Sequence, residues 1–172
     1  MAKQSRNKIK DNKKKIKESA ERKRRDELLA RIRKHDDPTL KVVCEASSDW
    51  NENLLLAADL FDVLASTKTG VGIAAPQIGS TSRVFVVGYG GLQLPFINPT
   101  IESLSGDIIT GTEGCLSYPG KYVKVDRHET VSLSYEINES GERDTKEFSG
   151  FIARIIQHEM DHLNGICKVR DD

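Results

Sequence analysis

The 172-residue sequence predicts an α+β fold in which small mixed or antiparallel sheets pack around one central helix, with a basic helical extension at the N-terminus. Three observations predict it. Short apolar runs alternate between glycine- and asparagine-rich turns, longer stretches repeat their apolar residues at helical spacing, and the first 34 residues differ in composition from the rest. The length suits one domain with a real core and is too short for two sizeable ones.

The composition excludes several classes of protein. Hydrophobic residues make up 37% and charged residues 30%, which is typical of a globular domain. No run approaches the roughly 18 apolar residues of a membrane span, and no apolar segment follows the basic start as in a secretory signal. Three cysteines cannot all pair within one chain, so thiols remain available as ligands or nucleophiles.

The formal net charge of zero hides a division of the chain at residue 34. Residues 1–34 carry 15 Lys/Arg against 5 Asp/Glu, a net +10, whereas residues 35–172 carry 11 against 21, a net −10. Residues 5–34 contain good helix formers and no Gly or Pro, so they predict a solvated helix. Clustered cations bind nucleic acid by releasing counterions, so one interpretation of residues 1–34 is an arm that binds nucleic-acid phosphates. Because no aromatic residue here could stack on bases, a solubilising helix, or one that leans on the acidic body, is the alternative.

The body predicts one helix, several strands and a final helix. Apolar residues of 53–66 recur at helical spacing, and Gly70 and Gly72 follow that helix. The final helix is expected to have Ser149 as its N-cap and to end at Gly165. Strands are predicted at residues 83–87, within 94–104, at 130–137 and at 145–148.

The final helix contains residues that suggest metal binding and catalysis. Phe151, Ile155, His158 and His162 follow one another at spacings of four, three and four, so they lie on one stripe. Two buried imidazoles without partners would cost about 1–3 kcal/mol each, and a shared metal ion is the obvious partner. With Glu159 the histidines form an H-E-x-x-H motif, in which the glutamate can reach a metal-bound water. By chance the same pattern also occurs on exposed helices. The stripe favours a metal-binding helix.

A metal site of this type needs a third protein ligand. Lys168 stands where a metzincin would carry its third histidine, and ten residues follow His162, so we expect the ligand upstream. Cys115 is the best candidate, although a small buried hydrophobe is the alternative for this residue. Cys167 could also ligate but lies off the stripe. A thiolate with two imidazoles leaves an open position for water, which is typical of a catalytic site.

Three segments resemble the signatures of the peptide deformylase family, and they occur in the family's order. Gly70–Gln77 (GVGIAAPQ) resembles the first signature, Glu113–Ser117 (EGCLS) the second and Gln157–Leu163 (QHEMDHL) the third. The resemblance covers about residues 35–168. It therefore predicts a basic helical extension over residues 1–34 and a deformylase-like catalytic domain over residues 35–172.

The resemblance implies an enzyme that removes the N-formyl group from the N-terminal formylmethionine of newly made polypeptides. One divalent metal is implied, with the ligands Cys115, His158 and His162. The resemblance favours Fe²⁺, although thiolate-plus-imidazole ligation suits Zn²⁺ equally well. Glu159 is implied as the general base and later proton donor, while Gln77 and the backbone N–H of Leu116 would stabilise the oxyanion.

The resemblance also implies how a peptide binds. The backbone of 70–74 would hold the substrate extended, as a strand added to a sheet edge. Arg127 and Asp161 are expected to pair and brace the metal-bearing helix, and Tyr122 stands where some family members carry an arginine near the peptide. The expected substrate-binding residues are Gly70, Val71, Gly72, Ile73, Glu113, Gly114, Tyr122, Phe151 and Ile155.

The sequence also suggests an oligomeric state, a location, a partner and two alternative functions. We expect a monomer in the cytoplasm of a bacterium or a phage-infected host, rather than in an organelle or on a membrane. Some family members contact the ribosome through C-terminal extensions, and we expect residues 1–34 to replace that contact by binding ribosomal RNA. Two alternatives remain: a metalloprotease built on the same H-E-x-x-H helix, and an inactive peptide-binding homologue.

Overall fold

The computed structural model of the chain describes residues 17–169, which form three α-helices and five strands. Helix α1 covers residues 17–30, α2 covers Trp50–Ser66 and α3 covers Gly150–Leu163. The strands are β1 (Gly72–Ala74), β2 (Val84–Tyr89), β3 (Leu92–Cys115), β4 (Tyr118–Glu136) and β5 (Arg143–Ser149). Two short 3-10 helices cover Pro38–Lys41 and Ala75–Ile78.

The five strands form one antiparallel sheet in chain order, from β1 at one edge to β5 at the other. The α+β class is therefore confirmed, with a single sheet in place of several small ones. Strands β3 and β4 are much longer than expected, because the exposed stretch 102–110 in β3 lacks the apolar alternation that indicates a strand.

Successive side chains of β2 point to opposite faces of the sheet, and one helix packs on each face. Phe85 and Val87 point toward α3 and share a core with its residues, whereas Val84 and Val86 pack with residues of α2. Phe85 also stacks on Phe96 of β3, with ring centroids 4.7 Å apart. Because β2 is buried on both faces, its sequence is a continuous apolar run.

The bounds of α2 and α3 follow from their caps. The side chain of Asp49 accepts a hydrogen bond from the Glu52 N–H at 2.9 Å, so α2 begins three residues before the predicted start. Ser149 is the N-cap of α3, as predicted. Gly165 follows the C-cap with a φ of +71°, and a Cβ there would lie 2.6 Å from the Lys41 carbonyl oxygen, so a side chain does not fit.

Helix α1 leans on α2, as the alternative for the basic segment expected. Leu28, Leu29 and Ile32 pack against the core between α2 and the sheet. Two ion pairs join the basic segment to α2, Arg24–Asp62 at 3.1 Å and Arg31–Asp59 at 2.7 Å. The helix ends at residue 30 instead of 34, and residues 5–16 of the predicted helix lie outside the described residues. The domain boundary at residue 34 stays a prediction.

Within residues 17–169, no helix has the length and apolar character required to cross a membrane.

Candidate active site

The expected metal ligands come together from two elements. Cys115 is the last residue of β3, and His158 and His162 lie one turn apart on α3. One ligand atom from each lies within 4.8 Å of the other two, and Cys115 Sγ is 3.2 Å from His162 Nε2. This convergence arises because α3 packs across the sheet beside the β3–β4 hairpin.

The chemistry of these donors fits a divalent metal. His158 Nδ1 lies 3.0 Å from Glu113 Oε2, which leaves Nε2 of that ring for a cation. A hydrogen bond with Cys167, together with burial, raises the pKa of the Cys115 thiol. A bound cation would favour the thiolate by its own charge, as thiol ligands require. One thiolate and two imidazoles form an incomplete tetrahedral set, with room for water.

Glu159 is buried beside this group with an unusual protonation equilibrium. Its side-chain Oε2 makes no hydrogen bond to any group of the described chain. Burial raises the pKa of Glu159 to about 7, so both protonation states are populated at neutral pH. Gly72 backs directly onto this carboxylate, since a Cβ at residue 72 would lie 2.6 Å from Glu159 Oε1.

Gln77 is held with its amide N–H₂ directed at the ligand group. Its Oε1 accepts a hydrogen bond from the Ala74 N–H at 2.9 Å, which fixes the orientation of the amide. Its Nε2 then lies 3.2 Å from Ser117 Oγ and 3.5 Å from Cys115 Sγ. Leu116, between these two residues, lines the same cleft. The side chain of Gln77 therefore presents its N–H donors next to Cys115.

A buried ion-pair network centred on Glu113 lies next to the candidate ligand His158. Glu113 accepts two hydrogen bonds from Arg127, at 2.9 and 3.0 Å, and one from Arg154 at 2.8 Å. Arg127 also pairs with Asp161 on α3, as the sequence predicted. Burial alone would raise the pKa of Glu113, but the hydrogen bonds from His158 and Arg127 lower it to about 2. The carboxylate of Glu113 is therefore ionised at neutral pH.

Strand β1 is the edge of the sheet next to the ligands. It pairs with β2 on one side only, and Gly70, Val71 and Gly72 line a cleft of about 630 Å³ on the other. A strand edge of this kind offers unpaired N–H and C=O groups to an extended peptide.

Most of the expected substrate-binding residues line this cleft. Ile73 does not, because alternation in β1 turns its fully buried side chain toward the core under α2. The carboxylate of Glu113 faces the ion-pair network. The lining residues that the sequence expected are Gly70, Val71, Gly72, Glu113, Gly114, Tyr122, Phe151 and Ile155.

Several residues of the site were not expected from the sequence. Arg154 lies four residues before His158 and so on the same face of α3, a spacing that could have identified it. Ser117 lies inside the second signature. Arg25 and Lys34 line the cleft from the basic segment, and no local pattern reveals that contact.

A Cys-His-His group beside a buried carboxylate, below a cleft with an open strand edge, fits a hydrolase that uses a divalent metal and acts on peptides. The family described as polypeptide deformylase matches residues 29–171, and the chain belongs to this family. Its reaction is therefore the removal of the N-formyl group from newly made polypeptides. The resemblance inferred from the three signatures is confirmed.

Named relatives agree with this assignment over most of both chains. The chain is 43% identical over 144 residues to the peptide deformylase of Treponema pallidum strain Nichols, covering 79% of this chain and 88% of that one. The peptide deformylase of Thermotoga maritima is 35% identical in its crystal structure, with a TM-score of 0.74 and coverage of 79% and 92%. A Met-Ala-Ser-bound peptide deformylase of Acinetobacter baumannii is 34% identical, with a TM-score of 0.72 and coverage of 80% and 94%.

Proposed function

We propose that α3 is a central metal-binding helix and that Cys115, His158 and His162 hold one catalytic divalent metal. The observation that carries this proposal is the convergence of their three ligand atoms within 4.8 Å, next to a buried carboxylate oxygen that has no hydrogen bond within residues 17–169. Bound by these three residues, a divalent metal would supply hydroxide at neutral pH, because it would lower the pKa of water toward about 7. Family resemblance favours Fe²⁺, and the donor set also suits Zn²⁺.

Glu159 is proposed as the group that moves the proton. Its pKa of about 7 suits a base that accepts a proton at neutral pH and then donates it. In the reaction Glu159 takes a proton from the attacking water while a C–O bond forms at the formyl carbon. It then delivers that proton to the departing nitrogen as the C–N bond breaks. The products are formate and a peptide with a free amino terminus.

Gln77 and the backbone N–H of Leu116 are proposed to stabilise negative charge on the formyl oxygen. The Gln77 amide is already oriented by its hydrogen bond from Ala74, so little reorganisation is needed when charge develops. A donor of this kind contributes about 2.7–4 kcal/mol of transition-state stabilisation in comparable hydrolases.

The edge of β1 is proposed to hold the substrate peptide. Gly72 lies beside Glu159, and Gly70 lies further out along the cleft, so an extended peptide would run outward from the reacting group along 70–72. Phe151 and Ile155 line the cleft on the α3 side and would contact the methionine side chain. Tyr122, which is exposed, would contact the residues that follow.

The cellular location, oligomeric state and ribosome contact of the protein are likewise proposals. The relatives named above come from bacteria, which supports cytoplasmic action on N-formylmethionyl peptides. A monomeric state and contact of residues 1–34 with the ribosome or ribosomal RNA remain predictions.

A paired-peptide assay distinguishes the proposed reaction from its alternatives. Metal-loaded enzyme is incubated with formyl-Met-Ala-Ser and with unformylated Met-Ala-Ser, and formate and cleavage products are measured by mass spectrometry. The proposal expects formate from the first peptide and an unchanged second peptide. Internal cleavage of either peptide would indicate a metalloprotease. Binding without any product would indicate an inactive homologue.

A further inference from the structure

The rim of the substrate cleft is cationic, although the body of the protein is acidic. Among the described residues that line the cleft, the charged side chains reaching solvent are Arg25, Lys34, Lys68 and Lys121, which we call the cationic rim. The acidic lining residues, Glu113 and Glu159, are both buried. Residues 35–172 nevertheless carry 21 Asp/Glu against 11 Lys/Arg, so the rim differs in sign from the body around it.

The two acids that line the cleft compensate little of the charge of the rim. Glu113 is neutralised by Arg127 and Arg154. Glu159 is buried beside Gly72, so its carboxylate does not reach the rim. Within residues 17–169, Arg25 and Lys68 form no ion pair.

Helix α1 is fixed as one wall of the cleft. Leu29 and Ile32 line the cleft and also pack into the core under α2. Arg24 is paired with Asp62, on α2, while its neighbour Arg25 lines the cleft. Lys34 follows the helix and donates a hydrogen bond to the Leu116 carbonyl oxygen at 3.3 Å. The basic segment thus contributes to the substrate site, and Arg25 lies outside the residues that match the family.

The direction of the proposed peptide brings its later residues to this rim. Gly72 lies beside Glu159, and the exposed side chain of Lys68, which precedes Gly70 in the chain, lines the same cleft. A peptide in strand conformation advances about 3.3 Å per residue, so we expect the residues that follow the methionine to approach Lys68 and the wall formed by α1.

We propose that the cationic rim selects formylmethionyl peptides that carry side-chain carboxylates in the residues after methionine. The inference rests on the proposed deformylase function and adds a substrate preference to it. The cations of the rim attract the side-chain carboxylates of a bound peptide and repel cationic peptides. Exposed ion pairs of this kind contribute about 1.4- to 5-fold each in binding.

The test compares three C-terminally amidated peptides on the metal-loaded, full-length enzyme. These are formyl-Met-Glu-Glu-amide, formyl-Met-Gln-Gln-amide and formyl-Met-Lys-Lys-amide, and amidation removes the terminal carboxylate as a second source of negative charge. We expect kcat/KM for formate release to fall in that order, with the Glu peptide about 5-fold above the Gln peptide. The preference should shrink between about 0.01 M and about 1 M salt, where the Debye length falls from about 30 to about 3 Å.

Reversing the charge of two rim residues tests whether the rim causes the peptide preference. The double variant Arg25→Glu, Lys68→Glu should abolish or invert the Glu-over-Gln preference. Arg22→Glu is the matched control, because Arg22 lies on α1 with its side chain 86% exposed and does not line the cleft. The control should retain the full preference.

Three outcomes oppose the inference in distinguishable ways. Equal kcat/KM for the three peptides would overturn the substrate preference while leaving the deformylase function intact. A preference unchanged by the double variant would overturn the role of the rim. Absence of formate from all three peptides would contradict the proposed function, and the inference with it.

Discussion

Glu113 Oε2 lies 3.0 Å from His158 Nδ1, and the same carboxylate accepts hydrogen bonds from Arg127 and Arg154. One buried acid therefore orients a proposed metal ligand and joins β3 to β4 and α3. The contact with Nδ1 fixes the orientation of the His158 ring, because the bond restricts its rotation. Orientation of the ligand and cohesion of the fold thus depend on one residue.

Replacing Glu113 with glutamine should weaken metal binding. Glutamine keeps the size of the side chain but removes the charge that stabilises the His158 N–H, so we expect about 10- to 100-fold lower metal affinity. Competition with a chromogenic chelator measures the change. Glu129→Gln is the matched control, since Glu129 is an exposed residue of β4. Equal affinity in the two variants would show that Glu113 does not tune the ligand.

Removing the guanidinium of Arg127 should destabilise the fold. Its side chain is only 4% exposed and pairs with Glu113 and Asp161, so Arg127→Ala leaves Asp161 without this cation and removes one partner of Glu113. Breaking a buried pair in this way costs about 3–5 kcal/mol in the free energy of unfolding. Urea titration followed by circular dichroism measures it, with Lys124→Ala, an exposed position of β4, as the control. A loss below about 1 kcal/mol would contradict a stabilising network.

A methyl group at Gly72 should damage catalysis more than folding. The added Cβ would lie 2.6 Å from Glu159 Oε1 and 2.9 Å from Ile155 Cγ2, so the proposed base must move. Displacements of about 1 Å at a reacting group cost roughly 100-fold in rate, and we expect kcat to fall by that order.

Gly88→Ala on the paired strand is the control for this substitution. A Cβ at residue 88 meets only the end of the Leu64 side chain, at 3.1 Å, which can move aside. Both variants should unfold at similar temperatures, and only Gly72→Ala should lose activity. Equal kcat values would indicate that Glu159 tolerates the shift or has another role.

The ribosome prediction needs a truncation that spares the core. Ile32 is 6% exposed and packs in the core under α2, so deletion of residues 1–34 would disturb the fold itself. Deletion of residues 1–16 removes seven Lys/Arg and one Asp while leaving α1 in place.

Salt-sensitive co-sedimentation with ribosomes is the measurement for this truncation. We expect the full chain to co-sediment at low salt and the truncated chain to lose that binding, because fewer counterions are released. Release of formate from a short neutral peptide should be equal in both. Unchanged co-sedimentation would refute a role for the first sixteen residues.

The sequence predicted those parts of the molecule whose signals are local. Spacing on one helix placed His158 and His162 on the same face, and the three signatures identified the family. The run at 83–87 and the cap at Ser149 also emerged as expected. In each case the residues concerned are close in the chain, so periodicity or a short motif is sufficient.

Features that depend on distant pairing were not predictable in this way. Much of the β3–β4 hairpin was missed, because the stretch 102–110 of β3 is exposed and lacks apolar alternation. Ile73 was expected to hold the substrate through its backbone, and the direction of its side chain, toward the core under α2, is shown only by the strand register. The contact of Arg25 with the cleft depends on how α1 docks, which composition alone does not specify.

The most direct test of the central claim is formate release by the Glu159→Gln holoenzyme. Wild-type and variant protein are loaded anaerobically with Fe²⁺ and, in parallel, with Zn²⁺, and the metal content of each sample is measured before assay with formyl-Met-Ala-Ser. The account predicts equal metal content in both proteins and a kcat about 10²- to 10⁴-fold lower in the variant. An equally loaded variant that releases formate at the wild-type rate would contradict the assignment of Glu159 as the proton-transfer group.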